Sequence, residues 1–272
     1  MNISKATAVA ACYVALKHVF TDVPANSGVL VPVSIVIPDE SIINAHAPKP
    51  VGGYTETILR MIDVIFGALS KAIPQQVSAM AYGTINALSL AGYRSDPKRF
   101  GQRWVMFSFF GGGHGAHAHG DGLSHGNAPI SMATIPPLEI LEAAYPVRFT
   151  QWALRDGSGG QGKYRGGLGA VYEIELLEKQ ADVYLFGERG RFAPQGVAGG
   201  GPAALNVFEY QNDGQWLKPP QLSKMVGIHL KQGERLRLLT PGGGGWGPVS
   251  ERSVQAMERD QRLGYANNQE VP

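Results

Sequence analysis

Glycine sets the strongest constraint on this chain. It makes up 36 of 272 residues and is gathered into runs instead of being scattered. The first run, Phe109-Phe-Gly-Gly-Gly-His-Gly-Ala-His-Ala-His-Gly-Asp-Gly-Leu-Ser-His125, holds six glycines between Gly111 and Gly122. A backbone with so little side-chain bulk reads as a loop free to take positive φ and to let another group come close, not as a helix or strand. His114, His117, His119 and His125, with Asp121, fall within twelve residues and are ligand types that zinc accepts. Metal sites also need ligands whose directions are fixed by supporting hydrogen bonds, and glycine fixes none. A solvated or substrate-facing loop is therefore the preferred reading over a metal site at His114, His117, His119 and His125.

Three further glycine clusters punctuate the second half: 157–169, 199–202 and 240–247. Gly157 to Gly169 contains Lys163 but lacks the Gly-Lys-Ser/Thr order of a phosphate loop, so it reads as a structural turn. Thr240 to Gly247 is either an anion-binding nest or a place where backbones pack closely, and the tight turn is preferred. Glycine and the 18 prolines together form about a fifth of the chain with no three-residue period, which implies long ordered loops and not collagen.

Charge excludes some functions. The 24 basic and 22 acidic side chains leave a net charge of +2, with no basic cluster beyond a pair, so no footprint for nucleic acid is present. No apolar run reaches the ~18 residues of a membrane span. Cys12 is the only cysteine, which rules out an intrachain disulfide and fits a reducing, cytoplasmic setting.

Periodicity places the elements. Ala8, Ala11, Cys12, Ala15, Leu16 and Val19 form a helical stripe, which argues against a signal peptide and makes Cys12 an inert core thiol. Val29 to Ile37 reads as a β-branched strand interrupted by Pro32. A second helix follows Gly52-Gly53, with Thr55 or Thr57 as cap and Glu56 complementing the dipole. Its stripe is Ile58, Met61, Ile62, Ile65, Ala68, Leu69 and Ala72, and Pro74 stops it. Tyr82 to Ala91 is a short strand or loop, Arg103 to Phe110 an aromatic-rich strand, and Pro136 to Glu142 a short helix. Beyond Val147, short strands at 147–154, 170–176, 183–186, 207–210 and 235–239 alternate with glycine turns, and a helix at 254–263 closes the chain. The expected fold is mixed α+β: a helix and strand portion, 1–145, with the Gly/His loop at 111–126, then an antiparallel β-rich, glycine-looped domain, 146–272.

Several motifs, in order, carry a resemblance: Asp22-Val-Pro-Ala-Asn-Ser-Gly28, Gly52-Gly-Tyr-Thr-Glu-Thr57, Tyr82-Gly-Thr-Ile-Asn86, Gly111-Gly-Gly-His-Gly115 with Asp121-Gly122, and Leu138-Glu-x-x-Glu-x-x-Tyr-Pro146. Ser158-Gly-Gly-Gln-Gly-Lys-Tyr-Arg-Gly-Gly-Leu-Gly169 and Thr240-Pro-Gly-Gly-Gly-Gly-Trp-Gly247 complete the set. Together they resemble the hydantoinase B/5-oxoprolinase family, over its C-terminal half only. The resemblance implies an ATP-dependent hydrolase of cyclic amides in which a hydantoinase A-like subunit uses ATP and magnesium to activate the substrate and the B-type chain completes ring opening. A related ketone carboxylase, of the acetone and acetophenone type, and a non-catalytic scaffold subunit are the alternatives.

The resemblance further implies that the family's metal motifs lie in an N-terminal half carried by another chain, and that this chain binds no cofactor itself. Site roles follow the same motifs: Glu56, His119 and Asp121 catalytic, with Thr55, Thr84 and Asn86 facing substrate. Where relatives tend to carry Gly-Ala-Arg, this chain has Gly115-Ala-His117-Ala-His119, and Ile135-Pro136-Pro137 replaces an Asn-Thr-Pro-like run.

Overall fold

The computed structural model describes residues 1–133 and 135–265. Two antiparallel sheets face each other across one large core. The four-stranded sheet has the order β2 (Arg103–Phe109), β1 (Ala87–Tyr93), β5 (Gln180–Phe186), β8 (Lys224–Lys231). The five-stranded sheet has the order β3 (Val147–Leu154), β4 (Ala170–Leu176), β9 (Arg235–Leu239), β6 (Val207–Asn212), β7 (Gln215–Leu217). Period-two alternation sends Leu88, Leu90, Met106, Val183 and Leu185 inward against Tyr172, Ile174, Phe208, Leu236 and Leu238. The strands on either side of Tyr145 are interleaved, because β1 pairs with β5 along Ala87 to Ala91.

Two helices lie beside this sandwich. α1 (Lys5–Val19), capped by Ser4, buries Ala8, Ala11, Ala15 and Val19. Its partner α2 (Tyr54–Leu69) contributes Ile58, Ile62 and Phe66 to the shared cluster. α3 (Leu138–Ala144) leads into β3, and α4 (Val254–Arg262), with Ser253 as its cap, is the last helix among the described residues.

Four expectations need correction. Val29 to Ile37 is not a strand: Ser27–Leu30 is a 3-10 turn, and Val31 and Val36 point into solvent. Pro32 removes a donor from this stretch, and among the described residues no strand pairs with it. Neither Thr55 nor Thr57 caps α2; Gly53 occupies the N-cap in the left-handed region, and the Thr57 hydroxyl donates to the Met1 carbonyl at 2.8 Å. α2 ends at Leu69, so Ala72 falls outside it. Cys12 is only partly buried instead of sitting in the core.

The glycine runs correct the reading of a pliant loop. No glycine from Gly111 to Gly122 has positive φ. They are required for space. The segment 241–246 runs as an extended chain whose successive residues bond to different neighbours. Gly243 donates to Gly167 O (2.9 Å) and accepts from Gly160 N (2.8 Å); Gly244 donates to Met80 O (2.8 Å) and accepts from Ala116 N (2.9 Å). Gly245 donates to Gly201 O (2.9 Å) and accepts from Val197 N (3.0 Å), and Trp246 then returns to the first neighbour through Tyr164 O (2.9 Å). Return at the fourth residue is the pattern of an extended helix with three residues per turn, in which backbones can pack directly where side chains are absent. A Cβ on Gly243 would lie 1.9 Å from His114 O, and one on Gly166 would lie 1.8 Å from Gly243 O. Both distances are far inside van der Waals contact, and the obstacle is main chain that cannot rotate away.

Gly243→Ala is therefore expected to cost more than about 4 kcal/mol, a large share of the stability of an ordinary domain. Gly52→Ala, where a Cβ meets nothing within 4 Å, is expected to stay within about 1 kcal/mol of the parent. Thermal denaturation of both variants decides this; equal melting temperatures would contradict the packing argument.

Candidate functional site

The glycine segments wall a cleft of about 590 Å³, lined by Ser78, His114, His117, Asp121, Arg165 and Tyr265 among others. Asp121 anchors one side. Its Oδ1 accepts from the Arg165 amide (2.7 Å) and Arg252 Nη1 (2.9 Å), and its Oδ2 from Arg252 Nη2 (3.0 Å). Arg252 also donates to Asp260 (2.6 Å), and Arg165 Nε reaches the same carboxylate at 3.4 Å. Partial burial opposes the ionised form of Asp121, yet the Arg252 and Arg165 contacts outweigh it and hold the carboxyl below its usual range. Asp121 is thus a fixed anion that orients two guanidinium groups.

The histidines do not converge. His114 Nε2 lies 2.5 Å from the Asn127 carbonyl, an acceptor only, so that nitrogen carries the proton. Trp152 Nε1 donates to His125 Nε2 at 3.2 Å, and the Tyr172 hydroxyl lies 2.5 Å from the same nitrogen. Since indole only donates, His125 Nε2 must be unprotonated. Burial lowers the basicity of both rings. His117 and His119 are exposed, 6.2 Å apart between centroids, with the His119 amide donating to His117 Nδ1 at 3.2 Å. Among the described residues no three His, Cys, Asp or Glu side chains form a group able to hold a metal.

Nor does the Lys163 cluster cradle phosphate: Lys163 pairs with Glu251 at 3.1 Å, and the amides of Gly160, Gly166 and Gly167 are spent on Gly243, Gly160 and His114. A phosphate cradle needs amides free to point at the anion.

A second group lies under α2. Glu56 is fully buried instead of merely facing the helix dipole. Its Oε1 accepts from Ile85 N (2.8 Å) and Thr84 Oγ1 (3.2 Å), while Oε2 is buried without a partner among the described residues. Burial pushes the carboxyl up to about 7, against the pull of those two hydrogen bonds. Thr84 Oγ1 in turn accepts from Glu188 N (2.9 Å) and Asn86 N (3.2 Å). Asn86 Oδ1 accepts from Asn206 Nδ2 at 2.9 Å.

One helical turn pair along, Asp63 receives Arg189 at 2.6 Å and Arg60 at 2.9 Å, and Arg60 also holds the Gly83 carbonyl at 2.5 Å. Asp63 and Gly83 line a small cavity of about 70 Å³, which shares Ser78, His114 and Gly115 with the large cleft.

The structure thus gathers Glu56, Thr84 and Asn86 into one buried network, none of them lining the cleft. Asp121 lines the cleft; His119 is exposed beside it on the same loop. Thr55 stands apart, half-buried in a groove with Ala11, Ile58 and Phe109. Sequence reasoning missed Asp63, which falls seven residues after Glu56 and so on the same helix face, amid the apolar stripe; a charged residue there was a readable signal. Arg165, Arg189, Arg252, Asn206 and Asp260 carried none, because their partners are remote in the chain.

Glu56 titrates normally near 4.5 but near 7 when folded. Between these values the folded chain binds the extra proton, so its contribution is full below pH 4.5 and is lost as pH rises through 7. The loss is on the order of 3 kcal/mol. Glu56→Gln is expected to flatten this segment of the stability profile in denaturant titrations, and parallel profiles for the two proteins would contradict it.

A family profile described as Hydantoinase B/oxoprolinase matches residues 1–249. A putative B-type chain of a D-/L-hydantoinase from a Pseudomonas species is 26% identical over 96% of this chain and 44% of its own length. The 5-oxoprolinase of Dictyostelium discoideum is 32% identical over 84% of this chain and 17% of its own. The crystal structure of the ATP-dependent caprolactamase from Pseudomonas jessenii superposes with a TM-score of 0.80 at 26% identity, over 95% of this chain and 46% of that one. The chain thus spans less than half the length of the relatives it matches. Among its described residues no helix is long and apolar enough to cross a membrane. The profile match over residues 1–249 gives the assignment: the chain belongs to the hydantoinase B/oxoprolinase family.

Proposed function

We propose that this chain is the C-terminal portion of a B-type subunit of an ATP-dependent cyclic-amide hydrolase, and that it completes ring opening of a substrate activated on an A-type partner. The observation that carries the reading is the family match over residues 1–249, with relatives named as a hydantoinase subunit, a 5-oxoprolinase and a caprolactamase. In this reading the chain acts only in a complex. ATP and magnesium are handled by the hydantoinase A-like subunit, and the chain works together with the remainder of a B-type subunit.

The geometry supports the following roles on this chain. Substrate occupies the cleft beside Ser78, His114 and His117, and the Asp121–Arg252–Asp260–Arg165 chain keeps that wall rigid. His119, exposed on the same loop, is held to His117 through its amide and flanks the entrance. Glu56, Thr84 and Asn86 are positioning residues: through the Ile85 amide and the Thr84 hydroxyl they fix the Tyr82-Gly-Thr-Ile-Asn86 loop, whose Gly83 borders the adjoining cavity. Glu56 can hold or release a proton at Oε2 near neutral pH, so the set of this loop is coupled to pH.

The test is ATP-coupled hydrolysis of a cyclic amide by the chain reconstituted with both partners. Wild type is expected to turn over with a pH profile that breaks near 7, and Glu56→Gln to lose about tenfold in kcat while shifting that break. Turnover by the isolated chain, or a Glu56→Gln profile superimposable on wild type, would contradict the corresponding part of the reading.

A further inference from the structure

One histidine of the glycine loop combines a fixed ring with an unused nitrogen. The His114 main chain is held on both sides inside the glycine bundle: its amide donates to Leu123 O and its carbonyl accepts from Gly167 N, each at 2.8 Å. The ring is held as well. Nε2 lies 2.5 Å from the Asn127 carbonyl, and the edge made by Cδ2 and Nε2 lies against Gly126, where a Cβ would come within 2.7 Å of both atoms. A carbonyl only accepts, so the proton sits on Nε2 and Nδ1, on the opposite edge, carries a bare lone pair. Nδ1 has no hydrogen-bond partner among the described residues, and it is not sealed from solvent. Burial lowers the basicity of the ring and keeps it neutral at physiological pH.

A second observation is the space that this residue separates. His114 borders both the cleft of about 590 Å³ and the cavity of about 70 Å³ behind it. Asp63, Ser78 and His18 give the small cavity polar walls, and the His18 ring is itself fixed through Nδ1, 2.8 Å from Val14 O. A polar cavity of this size holds a few ordered water molecules. The ring thus stands between a compartment suited to water and one suited to substrate. The other histidines of the loop do not meet these conditions. His125 Nε2 is bare but enclosed by Trp152 and Tyr172, while His117 and His119 are exposed and His117 Nδ1 is taken by the His119 amide.

We infer that His114 is the general base of ring opening, its Nδ1 taking a proton from a water molecule that enters from the small cavity and attacks a cyclic amide lying in the cleft. This rests on the reading that the cleft takes a cyclic amide, and adds which group activates the water. The step balances. The water oxygen bonds to the amide carbon as Nδ1 takes one of its protons; the C–N bond then breaks with its electron pair going to nitrogen, which receives that proton back from the imidazolium. One water is consumed, and the products are a carboxylic acid and an amine on one open chain. Anchoring of Nε2 on Asn127 O keeps tautomer and orientation fixed throughout, as a histidine base requires.

Hydrolysis by the reconstituted enzyme tests the assignment. His114→Gln retains an N–H to offer Asn127 O but has no basic nitrogen, so kcat is expected to fall at least about a hundredfold while the melting temperature stays near that of wild type. Imidazole added to His114→Ala is expected to restore turnover in proportion to its unprotonated fraction, a response that a merely structural role does not give. Turnover by His114→Gln comparable to wild type, or His114→Ala indifferent to imidazole, overturns the inference. Wild type treated with diethyl pyrocarbonate gives a reading that needs no variant: loss of turnover is expected to follow label on His114, and loss that follows label on His117 or His119 alone overturns the inference too. A wild type inert toward every cyclic amide offered removes the functional reading and this inference with it, whereas an active wild type matched by His114→Gln removes this inference alone.

Discussion

Main chain packed directly on main chain is the contact on which this molecule depends. The segment 241–246 is surrounded by 78–82, 111–116, 157–168 and 195–201, and Gly243, Gly244 and Gly245 in turn spend their amides and carbonyls on different neighbours. Side chains would hold these segments too far apart for such bonds, so glycine is a condition of the geometry and not a source of pliancy. Trp246 closes the end of the bundle by donating from Nε1 to the Pro74 carbonyl at 3.2 Å, which ties it to the chain leaving α2. The cleft exists because this bundle is stiff, and the loop bearing Asp121 is one of its members.

Polar burial adds a second constraint. Glu56, Asp63, Arg60 and Arg189 lie where α2 meets the Tyr82 to Asn86 loop, and they are paired unevenly. Asp63 has two guanidinium partners, while Glu56 has hydrogen bonds to one oxygen only. Burying charge costs several kcal/mol unless it is compensated, and Glu56 answers by keeping its proton to near neutral pH. Asp121 shows the opposite outcome with the same functional group: a bidentate arginine and a backbone amide keep it ionised. The same functional group thus takes opposed protonation preferences in two places, with Asp121 on the cleft wall and Glu56 buried behind the Tyr82 to Asn86 loop.

Much of the fold was legible because it is local. The stripe at Ala8, Ala11, Ala15 and Val19 gave α1, and alternation gave β2, β3, β4 and β9 at nearly their observed bounds. The mixed class and the antiparallel second half followed from those. β8 escaped because Gly227 interrupts its alternation, and β7 because three exposed residues carry no pattern. Val29 to Ile37 misled because β-branched composition reports a preference for extended backbone without supplying a partner strand. The glycine motifs were readable as motifs, but their physical role was hidden, since close approach is a property of two segments and a sequence displays one at a time. The histidines misdirected for the same reason: spacing placed them together, while His114 and His125 turn to Asn127 and Tyr172.

If backbone packing is what holds the cleft, the amides inside the bundle should open only when the whole chain unfolds. Native-state hydrogen exchange at Gly160, Gly166, Gly167 and Gly243 to Gly245 tests this most directly. The account expects protection equal to that of the core strands β4 and β9. Exchange at these glycines as fast as at the exposed turn around Gly214 would contradict it.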